Sequence, residues 1–384
     1  MSASNGTRNH LSGGDIKTNA VLDARALNRA LLARQMLLRR EKLSVLEAVE
    51  RLIGLQAQAP NAPYFALWAR LEDFRQEGLS RLLLDKQAVR MALMRATLHL
   101  VSASDAMQLR STLQSVMERS LKGAFGRQLK GADPKQLAAF GRSLVEDRPR
   151  TFGELGRHMR ERWPALQGEA LAAAVRNLVP LVQLPPRGIW GESGQAVHTS
   201  AERWLGQSRS AEPDTELLIR RYLAAFGPAT AKDVQAWSGL TGLGKAMERL
   251  RPGLVAFRNP AGEELFDLPD APRPDSDTPA EPRFLGEFDN TLLSHADRGR
   301  ILPDEYRSQV CTANGIVRST ILIDGYVAGT WKLTRERGKA ILCIDPFVAL
   351  SSPDSDALRL EGARLLQFAA EDHSHEVIIQ QGGS

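Results

Sequence analysis

Two stretches of the chain begin alike. At Thr151-Phe-Gly-Glu154 and at Thr230-Ala-Lys-Asp233 a hydroxyl residue is followed three places later by a carboxylate. That spacing marks a helix start: the hydroxyl oxygen accepts a first-turn N–H and the carboxylate reaches back to the capping residue. After the first start come a short helix toward Met159, a stronger one in GEALAAAVRNLVPL, and LVQLPPRGIW, strand-like at its ends around a Pro/Gly turn. After the second come VQAWSGL, GKAMERL and LVAFRNPAGEELFDL, two strand-like runs around Asn259-Pro260-Ala261-Gly262. The starts lie 79 residues apart (230 minus 151) and share one order of helix, short turn, helix and hairpin. That is the order of a winged helix-turn-helix.

Ser44-Val-Leu-Glu47 is a further capping box, predicting a helix from Val45 with Leu46, Val49, Leu52 and Ile53 as its apolar stripe. A second helix then falls within residues 63–71 and a wing in MALMRATLHLVSA, where branched and apolar residues replace the helical period. The expected fold is therefore α+β, with three tandem winged helix-turn-helix units. A flexible tail covers 1–20 and the units cover 21–120, 121–209 and 210–269. An acidic, proline-rich linker follows at 270–282, and 283–384 read as a small β domain closed by one helix near Ser355 to His373. LNRALLARQMLLRR predicts a helix ahead of the Ser44 helix, with arginines around its apolar face.

With 384 residues and 43% hydrophobic content, the chain can bury sizeable cores. No stretch approaches the roughly 20 apolar residues of a membrane helix, and the polar opening lacks a signal-peptide core, so a cytoplasmic protein with no membrane partner is expected. The net charge is +5. Between Val21 and Arg40 stand Arg25, Arg29, Arg34, Arg39 and Arg40 against the single Asp23, a pattern suited to DNA phosphates or to a solvated helix face.

Most site chemistry is missing. Cys311 and Cys343 form no disulfide framework and no metal-ligand spacing, the seven histidines are scattered, and His373-Ser-His375 lacks partners. No metal or cofactor is expected. No GxSxG, Walker A or Rossmann pattern appears in the right setting. Asp289, beside Asn290, fits an Asx-turn better than a reacting carboxylate. His99 in RATLHLV is either a satisfied core residue or an acid or base.

LIGLQAQAP, residues 52–60, carries the remaining candidates. In a helix Gln56 and Gln58 would point about 200° apart, whereas in an extended chain they lie on one side. Pro60 disfavours a helical Ala59 and so favours the extended exit. Two neutral amides cannot take a proton from water; they can orient it and stabilise developing positive charge through their carbonyl dipoles. That suits a bond already activated, such as the glycosidic bond of a purine made cationic by alkylation. The alternative is that both amides cap the helix end or contact neighbouring loops.

ALNRALLARQMLLRR, GLQAQAPNAPYFALWARL, MRATLHLVSASD, FDNTLLSHADR and ILIDGYVAGTWK, in this order from about Ala26 to Asp345, resemble the AlkZ family of bacterial DNA glycosylases. These excise N7-alkylguanine and can unhook interstrand crosslinks. The resemblance implies three winged-helix units followed by a C-terminal β-barrel-like domain. It also implies a catalytic motif of two glutamines around one residue, here Gln56, Ala57 and Gln58, where a related branch has aspartate second. Alanine between them is a small occupant of a position that the family often keeps apolar, a mild departure. The glutamine at 58 resembles the branch associated with self-resistance to DNA-alkylating natural products.

The expectation is thus a monomeric, monofunctional glycosylase acting on double-stranded DNA with alkylated or crosslinked guanine. Its site would be wide and open, lined by Pro60, Tyr64 and His99. Phosphate or duplex contacts are expected from Arg25, Arg29, Arg39, Arg40 and Arg95, and from Arg258 and Asn259 on the third wing. The rivals are a winged-helix transcription regulator with a ligand-sensing C-terminal domain and a scaffold that recruits repair proteins.

Overall fold

The computed structural model describes residues 20–206 and 212–381; all of the expected tail except Ala20 lies outside them. The first third holds α1 (Ala24–Arg34), α2 (Val45–Arg51), β1 (Leu55–Gln56), α3 (Ala62–Trp68), α4 (Gln76–Leu84) and the hairpin β2 (Ala88–Ala92) and β3 (Leu98–Ser102). α5 (Ala103–Thr112), α6 (Gln114–Phe125) and α7 (Pro134–Asp147) lead to β4 (Arg150–Thr151), α8 (Phe152–Arg162), α9 (Gly168–Leu178), β5 (Leu181–Gln183), β6 (Val197–Ser200) and α10 (Ala201–Leu205). Then come α11 (Thr215–Phe226), α12 (Ala231–Ser238), α13 (Gly244–Leu250) and the hairpin β7 (Val255–Arg258) and β8 (Glu264–Asp267). The C-terminal part is β9 (Arg283–Leu285), α14 (Arg307–Val310), β10 (Thr320–Ile323), β11 (Tyr326–Glu336), β12 (Lys339–Pro346), α15 (Ser352–Ala369) and β13 (Ser374–Ile379).

Each reciprocal cap forms where the hydroxyl–carboxylate spacing places it, at Ser44 with Glu47, Thr151 with Glu154 and Thr230 with Asp233. The hairpins are less separate than expected. β2 pairs with β5 through Arg90 opposite Gln183 and Met91 opposite Val182, which welds two hairpins into one antiparallel sheet ordered β1-β3-β2-β5-β6-β4. The return strand of the middle hairpin is Val197–Ser200, well beyond the expected GIW run. No helix among the described residues is long and apolar enough to cross a membrane.

The C-terminal sheet is open, not a barrel, in the order β13-β12-β11-β10-β9. α15 is the crossover between β12 and β13, which makes that pair parallel and leaves β9 and β13 at opposite edges. The motif FDNTLLSHADR, between β9 and α14, clamps this sheet to the rest. Asp289 accepts both Arg70 Nη atoms at 2.8 Å and the Thr291 N–H at 3.0 Å. Burial alone would raise its carboxyl, but Arg70 holds it below the ordinary carboxylate range. The Asx-turn is therefore present, as half of a buried ion pair.

α1 corrects two expectations at once. It stops at Arg34 rather than Arg40, with Met36 at φ 57 and Leu37 N–H returning to the Leu32 carbonyl at 2.8 Å. Arg29 and Arg34 on it are buried. Arg29, fully buried, donates Nε to Thr278 O at 2.6 Å, Nη1 to Asn28 Oδ1 at 2.6 Å and Nη2 to the Asp324 carboxylate. Arg25 donates to Ser276 O at 2.7 Å and also pairs with Asp324. The segment 270–282 is thus a strap over α1, not a loose linker. A guanidinium leaves water at a cost of several kcal/mol and tolerates burial only when its N–H groups find acceptors, which these carbonyls supply. Arg29 cannot reach a phosphate. Arg40 is likewise spent, on Glu361 and on the Trp68 carbonyl at 3.0 Å, while Arg39 is exposed.

Candidate active site

The chain between α2 and α3 carries the two glutamines. α2 ends when Ile53 and Gly54 both take positive φ and Gly54 N–H returns to the Val49 carbonyl at 2.9 Å, a six-to-one helix closure. The exit from helical geometry therefore falls at Ile53–Gly54, ahead of Pro60. A Cβ on Gly54 would lie 2.5 Å from Val101 Cγ1 and 2.7 Å from the Leu100 oxygen, so glycine permits this approach to β3.

Strand pairing begins at once. Leu55 opposes Leu100 and Gln56 opposes His99, and Ala57 N–H donates to Leu98 O at 2.8 Å. Extended backbone sends Gln56 and Gln58 to one side and Ala57 to the other. Ala57 is fully buried, which explains a small residue there; Gln56 is 5% exposed and Gln58 is exposed. Gln56 Nε2 donates to Gln58 Oε1. The two amides converge and touch.

Two arginines hold this pair and a histidine lies opposite it. Arg95, in the tight turn between β2 and β3, donates Nη2 to Gln56 Oε1 at 2.7 Å and Nη1 to the Trp237 carbonyl at the end of α12. It was expected on a phosphate, yet it turns inward. Burial, helped by the charge of Arg298, lowers it to about 10, so it stays a cation at neutral pH. Arg95 and Ala96 have φ of 55° and 57°, a conformation costing of order 1–3 kcal/mol per residue and typical of functional sites.

His99 shares the sheet face of Gln56 as its register partner. Its Nδ1 donates to Thr97 O at 3.0 Å, while its buried Nε2 has no partner. Burial and then Arg95 push it down to about 3, so the ring is neutral.

Arg90, buried inside β2, was not anticipated. It donates Nη2 to Ala57 O at 2.8 Å, Nη1 to Pro60 O at 3.3 Å and Nε to Gln183 at 3.0 Å, stapling the backbone on both sides of Gln58. A lone arginine inside the apolar run AVRMALM was the available signal.

The other expected residues divide. Pro60 borders an open cleft of about 820 Å³ that starts one residue beyond Gln58 and is walled by Asn61, Phe65, Glu287 and Trp331. Tyr64 is fully buried and saturated by Ser80, Gly188 O and Trp190 N–H, which removes it from any lining. Arg258 is exposed but folds onto its own turn at Gly262 O, 2.8 Å, and Asn259 bonds Glu263 in the same turn. The turn end of that hairpin is pinned to the N-terminal segment, with Leu22 N–H on Arg258 O at 2.8 Å.

A family model described as DNA glycosylase AlkZ-like matches residues 49–368, more than four-fifths of the chain. The chain belongs to the AlkZ-like DNA glycosylase family. It is also similar to an interstrand DNA cross-link repair glycosylase of Streptomyces sahachiroi, 25% identical over 351 residues, which cover 85% of this chain and 90% of that one. The fold is similar to the solved structure of the Streptomyces sahachiroi DNA glycosylase AlkZ, with a TM-score of 0.76 and 23% identity over 94% of this chain and all of that one. The family match contains β1, the turn at Arg95 and the Asp289 clamp, and leaves α1 outside.

Proposed function

We propose that this DNA glycosylase hydrolyses the N-glycosidic bond of cationic N7-alkylated guanine, including guanines held in interstrand crosslinks, with Gln56 and Gln58 as its catalytic pair. The observation that carries the reading is the meeting of two neutral amides where β1 ends, one buried and braced, the other open to solvent. Alkylation at N7 gives the base a positive charge that departure cancels, so no acid is needed to protonate the leaving group. What remains is to hold a water molecule against C1′, whose proton leaves to bulk solvent as the C1′–O bond forms, and to stabilise the oxocarbenium-like sugar with carbonyl dipoles. Amides can do both.

Extrusion of the target base costs a few kcal/mol of stacking, and a crosslinked base cannot swing freely. The open cleft beside Pro60 suits a lesion approached without full enclosure. The Streptomyces relative is a cross-link repair glycosylase by name, and the glutamine at 58 extends that role, with self-resistance, to this chain. The groups bonded to or opposite the pair are Arg95 and His99, neither a Schiff-base former, so the enzyme releases the base without cutting the strand. Three winged-helix units, centred on α2 with α3, α8 with α9, and α12 with α13, would seat the duplex.

The test is release of free 7-methylguanine from methylated duplex DNA by the purified protein. Wild type should release it, and a folded Gln56→Ala/Gln58→Ala double variant should not. A regulator or scaffold would release none.

A further inference from the structure

We infer that Arg95 is the positioning residue of the glutamine pair and that the two amides have different tasks: Gln56, braced from behind, orients Gln58, and Gln58 is the member that opens toward the substrate. This rests on the reading of the pair as catalytic.

A guanidinium has donors and no acceptor. With Arg95 Nη2 at 2.7 Å, Gln56 must present its oxygen there, because the opposite orientation would set N–H against N–H. Its amide nitrogen then faces outward and donates to Gln58 Oε1. One half-buried cation thereby fixes the direction of both amides. Gln58 keeps one free lone pair and both of its N–H donors, and it is the exposed member of the pair. Gln56 has its oxygen turned to Arg95 and one N–H spent on Gln58.

The surroundings are built to hold Arg95 in this pose. Its second Nη lies on Trp237 O, among the last carbonyls of α12, where the helix carries partial negative charge. The left-handed turn that delivers it is locked by Arg176, whose Nη2 grips Ala96 O at 3.0 Å, and by Thr97 Oγ1 on Met94 O at 2.9 Å. Across from it Gly239 comes so near that a Cβ would lie 3.3 Å from the Arg95 backbone. A strained turn held from three sides places one guanidinium behind one amide.

The experiment is single-turnover release of 7-methylguanine, with duplex affinity measured in parallel. Arg95→Gly removes the side chain and accepts the positive φ without strain; Arg95→Lys keeps a charge that can satisfy only one of the two acceptors well. Arg95→Gly should slow release by about 10- to 100-fold with duplex affinity unchanged, and Arg95→Lys should fall between it and wild type. Added guanidinium ion should restore part of the rate to Arg95→Gly. Arg95→Gly/Gln56→Ala should be no slower than Gln56→Ala and should not respond to guanidinium, because both changes break one relay. Wild-type release by Arg95→Gly, independent multiplying effects in the double variant, or a loss confined to affinity would each overturn the assignment. Absence of release by wild type would instead overturn the catalytic reading itself.

Discussion

Acid should destabilise this protein before its carboxylates titrate. His99, His198 and His295 are buried as neutral rings, pushed down from 6.5 to about 3, 4 and 3 chiefly by loss of solvation. In the unfolded chain they titrate near the ordinary value. Below it, the unfolded chain binds protons that the folded chain refuses, so stability is full above about pH 6.5 and declines as pH falls toward about 4. Each refused proton costs about 1.4 kcal/mol per pH unit. Between about pH 7 and pH 5 that is roughly 2 kcal/mol per ring, and roughly 4 kcal/mol for His99 and His198 together. His295 acts in the same direction, moderated by Asp233 beside it. Total stability for a folded domain is only about 5–15 kcal/mol, so the effect is large. Urea unfolding followed by tryptophan fluorescence at the two pH values measures it, and His198→Gln should remove about half of the two-ring loss. A stability that changes by less than about 1 kcal/mol would refute the reasoning, since the rings would then be protonated or solvated inside the fold.

Two further changes test how the site is held. Gly54→Ala should cost about 2–4 kcal/mol, from the left-handed backbone and from a Cβ pressed on Val101 and Leu100; its release rate should fall further than the unfolded fraction explains, because β1 must move. Wild-type stability would contradict the close approach. Arg70→Met should cost about 3–5 kcal/mol by leaving Asp289 buried and unpaired, with much of the loss recovered when Asp289→Asn is added. Equal losses with no coupling in that cycle would show that the pair does not act as a unit.

What the chain revealed from its letters was local. Ser44, Thr151 and Thr230 announce their helices because a capping box closes within four residues. Helix ends were hidden. α1, α2 and α4 close with Met36, Ile53 and Lys86 at positive φ, where glycine is the usual signal, so α1 read too long and Pro60 took credit belonging to Ile53 and Gly54. The β2–β5 weld and the open C-terminal sheet depend on pairing between distant strands, which no local pattern records. At the site, the convergence of the glutamines followed from side-chain alternation, but the orientation of their amides did not. Arg95 looked like a phosphate contact because a sequence shows that a cation exists and not what it faces.

The same limit moves the expected duplex surface. Charge that is shared internally is not available to DNA, and α1 has spent Arg25, Arg29 and Arg34 on Asp324, Asp267 and the 270–282 strap. Unspent cations lie elsewhere. Lys122 on α6, Arg127 just beyond it, and Arg157 and Arg160 on α8 are exposed, and the last two border a groove of about 540 Å³ that Arg176 also lines. Arg176 in turn grips Ala96 O, so one side chain joins that groove to the turn that carries Arg95. A phosphate lost from the interface lowers the slope of log affinity against log salt by about 0.9. Arg157→Gln/Arg160→Gln should therefore lower that slope by nearly two, measured by fluorescence anisotropy on a labelled duplex. Arg29→Met should lower stability and leave the slope unchanged. A slope that responds to Arg29 and ignores Arg157 and Arg160 would return the interface to α1 and contradict the burial that removes it.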